Sequence, residues 1–380
     1  MKAIGIIAEY NPFHNGHLYQ INKIKEKYPD YTLIVVMSGN FTQRGDTAII
    51  DKWKRTDIAL KSGVDLVIEL PFPFATQSAD FFADGAITIL ENLKVDKVIF
   101  GSESDNINDL ELIASCQLNN PEFNQLVKVY SKMGKNYPTA IACSIKDLTS
   151  KQINTPNDLL GISYIKAILK NKYKIIPEII KRTNNYHEKE LNKDISSATA
   201  IREALKMNNS VDNQVPNIEL NYLKDIYILD NYFYILKYKI ITEDNLSKFQ
   251  TVDEGIDRLL KKEIESAKDV EDLIKKIKSK RYTYNKISRM LIHILCNFTK
   301  EKALEFRNIT YIRPLGMNKK GKEYLNKVKK DIKIPIISKI TREKDSMLEY
   351  EIQTTKIYDL PKQNNLIKLE YQNKLYKEDI

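Results

Sequence analysis

The feature that most constrains the fold of this chain is an alternation, over residues 2–205, of short apolar runs with amphipathic stretches of helical period. The apolar runs, rich in Ile and Val, are KAIGIIAEY, TLIVVMSG, DLVIELP, KVIFGSE and KIIPEIIKR. Strands that are apolar along their whole length and separated by helices are typical of a parallel sheet covered on both faces. The sequence therefore predicts an α/β fold with a parallel sheet in its N-terminal half.

The pattern becomes helical beyond residue 205. Apolar residues recur at spacings of three and four in the ranges 217–241, 251–267, 269–280 and 282–306. The stretches ITYIRPLG, NKKGKEYLNKVKKD and IKIPIISKI then predict a small strand-helix-strand unit. Because a polar stretch with Pro216 separates the two patterns, we predict two domains, 1–206 and 207–380. The second is mainly helical and ends in the small α/β unit.

The composition is that of an ordinary globular protein, with 42% hydrophobic and 29% charged residues. No apolar run approaches the roughly 20 residues that span a bilayer, and the N-terminal residues lack a small-residue cleavage site. Cys116, Cys143 and Cys296 are odd in number and form no CxxC pair, which argues against a disulfide framework or a thiolate zinc site. We expect a cytoplasmic protein without a membrane segment, whose cysteines are small core residues.

Positive charge is concentrated in one part of the chain. Residues 271–340 contain 19 Lys and Arg against 6 Asp and Glu, a local balance of +13 in a chain whose net charge is +10, so the remainder sums to −3. Such a cluster is typical of a surface that binds nucleic-acid phosphates. It is equally typical of a solvated lysine-rich surface, and composition alone leaves both interpretations open.

Two of the four histidines, His14 and His17, lie three residues apart in NPFHNGH, directly after the first predicted strand. Parallel sheets bind ligands at the carboxyl ends of their strands, and this loop begins there. Pro12 fixes the backbone, Gly16 permits close approach, and the helix that follows offers unpaired N–H groups to an anion. Two imidazoles at i and i+3 lie on one face of that helix, so both can donate to the same phosphate group.

Three interpretations of the histidine pair compete. A zinc site needs further ligands, but His187 and His293 have no Cys or His nearby in sequence and no HExxH motif occurs, so we predict no metal site. An isolated HxxH more often satisfies local backbone groups. The third interpretation is that both rings contact nucleotide phosphates, as the surrounding strand, loop and helix favour.

A second candidate phosphate motif is SSATAIR, at 196–202. The hydroxyls of Ser197 and Thr199 can cap a helix or donate to a ligand, and Arg202, one turn later, can neutralise phosphate charge. The letters alone also fit an ordinary helix N-cap. Their order after NPFHNGH, at the other end of the same α/β domain, strengthens both motifs.

The order of strand, Asn-Pro-Phe, HxGH and helix, followed by SSATAIR, resembles the HxGH nucleotidyltransferase superfamily, which implies a Rossmann-like nucleotidyltransferase sheet. In that superfamily the two histidines contact nucleotide phosphates and stabilise charge as the α-phosphorus is attacked. Donors already in place where charge develops lower a barrier without reorganisation.

Longer stretches narrow this resemblance over nearly the whole chain. They are MSGNFTQRGDTAIIDKWKRTDIAL, GVDLVIELPFPFATQSADFFADGAI, FGSE, PNDLLGISYIKAI, IKRTNNYH and KRYTYNKISRMLIHILCN. Together they resemble the bacterial tRNA(Met) cytidine acetate ligase family. The resemblance implies an enzyme that forms acetyl-adenylate from ATP and acetate, then acetylates N4 of the wobble cytidine of elongator tRNA(Met).

The resemblance also implies which residues contact ATP, which is expected to bind with Mg²⁺. In the loop from Ile7 to Gln20 these are Ile7, Glu9, Asn11, Pro12, Phe13, His14, Gly16, His17 and Gln20. Outside it, the matching stretches add Gly101, Asn157 and Arg182 to the motif residues Ser197, Thr199 and Arg202. Taken without the resemblance, Gly101, Asn157 and Arg182 are as easily a glycine turn, a helix N-cap and a surface arginine.

The loop NFTQRGDTAIIDKWKR, at 40–55, is the candidate for the acyl and cytidine side. Arg44, Lys52 and Arg55 are expected to hold a carboxylate, a phosphate or tRNA. Asp46 is a candidate catalytic residue with His14 and His17, because a carboxylate there can orient or deprotonate the attacking amine. The structural alternative is that Asp46 caps a turn and pairs with Arg44.

The basic C-terminal segment is expected to contact tRNA phosphates. The candidates are Lys280, Arg281, Lys286, Arg289, Lys319, Lys320 and Lys322. Tyr282 and Tyr284 are available to stack on bases, although aromatic residues at such positions more often pack a helix start. His293 is expected to pack or hydrogen-bond among core residues of the same helix.

Two other functions remain open. A small-molecule adenylyltransferase of the same superfamily has the nucleotide motifs but does not need a basic helical domain. An RNA-binding protein with a degenerate nucleotide site is disfavoured by the intact HNGH and SSATAIR motifs. The expected partners are tRNA(Met) and acetate, with no obligate protein partner.

Overall fold

The computed structural model describes residues 1–152, 155–182, 196–340 and 345–372. All five apolar runs predicted as strands form strands. The strands are β1 (Ala3–Ala8), β2 (Thr32–Ser38), β3 (Leu66–Leu70), β4 (Lys97–Ser102), β5 (Ile176–Lys181) and β6 (Pro314–Met317).

The six strands form one sheet in the order β5-β4-β1-β2-β3-β6. The first five are parallel, and β6 is antiparallel to β3. The predicted α/β class with a parallel sheet is confirmed. Since β1 lies between β2 and β4, the chain changes direction across the sheet at β1, and ligands of such sheets bind in the crevice at the carboxyl ends of these strands.

Helices connect and cover the strands of the N-terminal half. They are α1 (Asn15–Lys27), α2 (Lys52–Lys61), α3 (Phe72–Ala75), α4 (Ala79–Asn92), α5 (Ile107–Asn119), α6 (Pro121–Lys132), α7 (Tyr137–Thr149), α8 (Pro156–Asn171) and α9 (Ala198–Lys206). Residues of β2, β3, α4 and α8 meet in one buried apolar core. The opposite face of the sheet packs on α1 and α2.

The remainder of the chain is mainly helical, as predicted. Its helices are α10 (Asn217–Leu220), α11 (Phe233–Thr242), α12 (Ile256–Ile264), α13 (Val270–Ile277), α14 (Tyr284–Leu295), α15 (Lys300–Glu305), α16 (Lys319–Val328), α17 (Ser346–Asp359) and α18 (Leu366–Gln372). None of the helices within the described ranges is both long and apolar enough to cross a membrane.

The expected strand-helix-strand unit at the end of the chain is only partly formed. The strand β6 and the helix α16 are present, but β6 extends the main sheet beside β3. The second expected strand, at 332–340, makes a single bridge between Ile312 and Ile336. The expected second strand forms no ladder because Pro335, within it, has no N–H to donate. The strand β6 joins the main sheet because it is apolar and covers the otherwise open edge of β3. The division into domains at residue 206 stays a prediction.

Candidate active site

A cleft of about 460 Å³ opens at the carboxyl ends of β1 and β4, where the strand order reverses. Predicted site residues from separate parts of the chain line it. They are Ile7, Glu9, Asn11, His14, His17, Gln20, Arg44, Asp46, Gly101, Asn157, Arg182, Ser197, Thr199 and Arg202. The fold therefore brings the loop after β1, the loop after β2 and the start of α9 to one place.

The two histidines begin α1 as a capping box built from imidazoles. The N–H of Gly16 donates to Nδ1 of His14, at 3.1 Å, and the N–H of His14 donates to Nδ1 of His17, at 3.2 Å. A ring nitrogen that accepts a hydrogen bond carries no proton, so the neutral rings are Nε2–H tautomers. The i, i+3 spacing thus satisfies the helix start and fixes where each ring proton lies.

The histidine pair is held neutral by its surroundings. The rings stack with centroids 3.8 Å apart, and Phe13 and Tyr10 pack against His17. Burial, with the positive charges of Arg182 and Arg202, lowers the pKa of His14 to about 3. Burial and the neighbouring His14 lower the pKa of His17 well below its ordinary value. Both rings can therefore donate hydrogen bonds without carrying charge.

Arginines and hydroxyls from SSATAIR form the next part of the cleft. Ser197 caps α9 by accepting from the N–H of Ala200 at 3.1 Å. Arg202 donates through Nη1 to the carbonyl of Asn11, at 2.7 Å, and through Nη2 to Oγ1 of Thr199, at 3.3 Å. Arg44 reaches the same hydroxyl at 3.5 Å. The SSATAIR motif therefore caps α9, and its arginine donates a hydrogen bond to the loop that carries the histidines.

The end of β4, the start of α8 and Arg182 form the far side of the cleft. Asn157 donates to Oε1 of Glu103 at 2.5 Å, and Nε of Arg182 lies 3.6 Å from the same oxygen. A Cβ at Gly101 would lie 3.3 Å from Cγ of Arg182, so a side chain there would crowd the arginine. Asp158 fixes the turn by accepting from the hydroxyl of Ser102, at 2.5 Å.

Two carboxylates enter the cleft. Glu9 accepts the N–H of Gln43 at 2.6 Å, and burial raises the pKa of Glu9 above its ordinary value. Asp46 accepts the N–H of Thr47 at 2.9 Å, and its Oδ2 lies 4.0 Å from Nε of Arg202. Burial raises the pKa of Asp46 as well. Asp46 therefore accepts from the backbone of its own turn, lies beside Arg202, and also faces the cleft.

Three residues expected to contact ATP do not line the cleft. Phe13 is fully buried and packs edge-on against Tyr10, with ring centroids 4.8 Å apart. Gly16 contributes the backbone N–H that fixes His14, and Pro12 lies between Asn11 and Phe13 in the same loop. These residues shape the loop that carries the histidines.

The structure corrects the expectation that Lys52 and Arg55 contact substrate, because both are fully buried. Nζ of Lys52 lies 2.5 Å from Glu69 and 2.8 Å from Glu370. Arg55 donates to backbone carbonyls, including those of Glu9, at 2.6 Å, and Ser38, at 3.1 Å. A guanidinium presents several donors in a fixed plane, which suits the carbonyls left unpaired at strand ends. Both cations hold the sheet and loop together.

The basic C-terminal residues lie in two separate places. At the start of α14, Asn285 lines the cleft, and Arg289 donates to the carbonyl of Gln43 at 3.2 Å. The same part of the chain contains Lys280, Arg281 and Lys286. The side chain of Arg281 is 82% exposed and lies beside Glu254. Nζ of Lys286 lies over the ring of Tyr282, 4.1 Å from its centroid.

Lys319 and Lys320 begin α16 near the amino ends of β2 and β3, whereas the cleft lies at the carboxyl ends of the strands. The preceding Asn318 donates its N–H to the carbonyl of Asp65, immediately before β3, and Lys320 reaches the carbonyl of Pro29. The structure therefore does not bring these lysines, or Lys322 in the same helix, together with the cleft. Contact of these lysines with tRNA stays a prediction.

The remaining expectations concern histidine, cysteine and metal. His293 is buried and contacts the carbonyls of Thr76 and Gln250, as expected for a packed core residue. Cys296 is buried, whereas Cys116 and Cys143 are only partly so. His187 lies outside the described residues. Within the described ranges, there is no group of three or more His, Cys, Asp or Glu that could hold a metal ion.

Comparison with known proteins identifies the family. A family model described as HIGH Nucleotidyl Transferase matches residues 1–373. A tRNA(Met) cytidine acetate ligase from Anoxybacillus flavithermus is 40% identical over 380 residues, covering 94% of each protein. The chain belongs to the tRNA(Met) cytidine acetate ligase family. The resemblance predicted from the motifs is confirmed.

Solved structures agree with this family assignment. The apo crystal structure of Thermotoga maritima TmcAL matches with a TM-score of 0.91 and 29% identity, covering 99% of both chains. TmcAL bound with alpha-thio ATP matches with a TM-score of 0.86 and 30% identity, covering 95% of both chains. The cleft described above therefore belongs to a fold in which a relative binds an ATP analogue.

Several residues of the cleft were not predicted. Gln43, Glu103, Phe100, Tyr164 and Asn285 all line it or contact its lining. Glu103 follows a strand directly, and that position is a signal from which it could have been predicted. Asn285 lies 83 residues beyond Arg202, the nearest other cleft residue in sequence, and no local pattern marks it.

Proposed function

We propose that this chain forms acetyl-adenylate from ATP and acetate and transfers the acetyl group to N4 of the wobble cytidine of elongator tRNA(Met). The observation that carries the proposal is the pair of neutral histidines, fixed as Nε2–H donors in the same cleft as Arg182 and Arg202. In a member of the ligase family, this arrangement suits the phosphates of a nucleoside triphosphate.

In the first step a carboxylate oxygen of acetate attacks the α-phosphorus of ATP, and pyrophosphate leaves. This displacement needs no covalent nucleophile from the protein, only positioning and stabilisation of the charge that develops on the phosphoryl oxygens. His14 and His17 supply neutral donors, while Arg182, Arg202 and Arg44 supply positive charge. Donors whose orientation is already fixed by a helix cap need no reorganisation during the reaction.

In the second step the exocyclic amine attacks the acyl carbon, the bond from that carbon to the phosphate oxygen breaks, and AMP leaves. We infer that Asp46 receives the proton lost by N4, because this carboxylate faces the cleft and burial raises its pKa toward that of a better base. An Asp46→Asn protein should retain adenylation and lose transfer by about 100-fold or more. Transfer at the unmodified rate would exclude this role.

Mg²⁺ is expected to arrive with the nucleotide. The carboxylates of the cleft are Glu9 and Asp46, which already accept hydrogen bonds from backbone N–H groups. Mg²⁺ is commonly bound through substrate phosphates with one or two carboxylates, and Glu9, the cleft carboxylate that the second step does not use, would share the ion with the phosphates. The reaction is placed in the cytoplasm, because the proposed acceptor is a tRNA.

Exchange of labelled pyrophosphate into ATP tests the proposal. Exchange that depends on acetate supports the ligase. Nucleotide transfer to a small molecule without acetate supports an adenylyltransferase, and RNA binding without any exchange supports an RNA-binding protein with a degenerate site. His17→Ala provides the matched loss-of-function control. If the unmodified protein catalyses exchange and this variant does not, the activity belongs to the cleft.

A further inference from the structure

The start of α14 is held against the loop of the cleft that carries Asp46. Gly45 has a φ of +82°, and a Cβ there would collide with the backbone of Ser288 and Arg289. Arg289 also donates to the carbonyl of Gln43 at 3.2 Å. Only glycine permits so close an approach at this φ, so the first turn of α14 is fixed at the mouth of the cleft.

The two tyrosines before and within this turn have different environments. Tyr282 is 5% exposed, and its hydroxyl donates to the carbonyl of Asp253 at 2.5 Å, so its ring is part of the core. Tyr284 is 41% exposed, and its hydroxyl donates to Glu271 at 2.9 Å. An aromatic ring held at its hydroxyl end and left partly exposed is available for a base to stack on.

Asn285, the next residue, is exposed and lines the same cleft as the histidine pair. A carboxamide offers one acceptor and two donor hydrogens, which complement the N4 amine and the N3 acceptor of cytosine. Lys286 and Arg281 flank this turn in sequence and supply positive charge for the adjoining phosphates. Single-stranded RNA loops are commonly recognised by such a combination of stacking, edge contacts and backbone cations.

We propose that Tyr284 and Asn285 form the acceptor-base subsite, in which the flipped cytosine stacks on Tyr284 and pairs its edge with the Asn285 carboxamide. This inference rests on the proposed function. A cytosine bound in this subsite has its N4 amine on the side of the cleft that contains Asp46. The subsite binds the acceptor, and the chemistry of the second step is unchanged.

The test compares two anticodon stem-loops of tRNA(Met), one with cytidine and one with an abasic wobble nucleotide. Affinities are measured without acetate, so that no transfer occurs. Base stacking typically changes affinity by roughly fivefold to 150-fold, and we expect the unmodified protein to favour cytidine by about tenfold. In Tyr284→Ala the preference should fall to less than about twofold. In Asn285→Ala it should fall by a smaller factor, because the ring of Tyr284 remains.

Two further variants control the comparison. Tyr284→Phe keeps the ring and should keep the preference for cytidine. Tyr238→Ala removes a tyrosine that is 71% exposed on α11 and should also keep it. A preference that survives in Tyr284→Ala, or that the unmodified protein lacks, would overturn the inference. Failure of the proposed function would instead appear as an unmodified protein without acetate-dependent pyrophosphate exchange.

Discussion

Two groups of buried charged or polar side chains, both near the carboxyl ends of the strands, have opposite roles. In the ion cluster, defined as Lys52, Glu69, Arg313, Glu351 and Glu370, every member contacts another. The Arg313 guanidinium lies 3.1 Å from Glu69 and 2.5 Å from Glu370. In the cleft, the histidine pair contacts local backbone through Nδ1 and lines a cavity of about 460 Å³.

Within the ion cluster, the protein's own side chains also balance most of the charge. Burial alone would lower the pKa of Lys52, but the carboxylates of Glu370 and Glu69 outweigh it and raise that pKa. Three carboxyl groups face two cations, and burial together with Glu69 raises the pKa of Glu351 to about 8. This shift favours the protonated form of Glu351 and so reduces the excess of negative charge in the cluster. Burial with mutual pairing indicates structure, whereas donors that face a cavity indicate a ligand.

Breaking the ion cluster should give the largest effect. Lys52→Met leaves Glu69 and Glu370 buried with less compensation, and we expect the free energy of unfolding to fall by about 3–5 kcal/mol. Urea unfolding measures it. Lys61→Met, on the same helix but in an exposed pair with Asp57, should change it by less than about 1 kcal/mol. Equal losses in the two variants would contradict the distinction between the two regions.

Removing a cleft donor should affect rate more than stability. We expect His17→Ala to lower acetate-dependent pyrophosphate exchange by about 100- to 1000-fold, because a fixed donor to the developing charge is lost. The matched control is His293→Gln, which alters a buried histidine outside the cleft and should lower stability without a comparable loss of rate in the folded protein. If both variants lose exchange equally, the pair has no special role.

Arg202→Lys tests whether geometry matters beyond charge. A lysine keeps the positive charge but cannot hold the Asn11 carbonyl and the Thr199 hydroxyl with separate nitrogens in one plane. Exchange should fall by about tenfold, measured at saturating acetate over a range of ATP concentrations. Arg307→Lys, at an exposed position, serves as the control and should leave exchange unchanged.

The smallest expected effect is on the pH dependence of stability. Because the pKa of His14 is about 3 in the folded protein and near 6.5 when unfolded, the unfolded chain binds a proton first as pH falls. The free energy of unfolding is therefore highest above pH 6.5 and declines from there toward pH 3. His14 contributes about 1.4 kcal/mol of this decline at pH 5.5. Urea unfolding of His14→Gln should show a flatter decline between pH 7.5 and 5.5. An unchanged decline would show that His14 is not held neutral.

The sequence could predict the sheet and the central motifs because their signals are local. Five apolar runs become strands, and the i, i+3 spacing of His14 and His17 is itself the capping geometry. The roles of Lys52 and Arg55 could not be predicted in this way. The partners of Lys52 include Glu370, 318 positions away in the sequence, and nothing near Lys52 distinguishes a paired lysine from a ligand-binding one.

Two other errors have the same origin. The placement of β6 beside β3 and of Asn285 in the cleft depends on packing between the two halves of the chain. The sequence also could not show that Lys319 and Lys320 lie away from the cleft, because proximity in sequence to other basic residues does not determine at which end of a sheet they lie. Local patterns predicted the cleft residues of NPFHNGH and SSATAIR, whereas the proposed acceptor subsite depends on contacts distant in sequence.

The most direct test of the central claim is mass spectrometry of digested elongator tRNA(Met) after incubation with the protein, ATP, Mg²⁺ and acetate, beside His17→Ala. We expect N4-acetylcytidine at the wobble position only with the unmodified protein. Splitting of ATP to AMP without acetylated tRNA would contradict the assigned acceptor. Unaltered ATP and tRNA with the unmodified protein would contradict the role of the histidine pair itself.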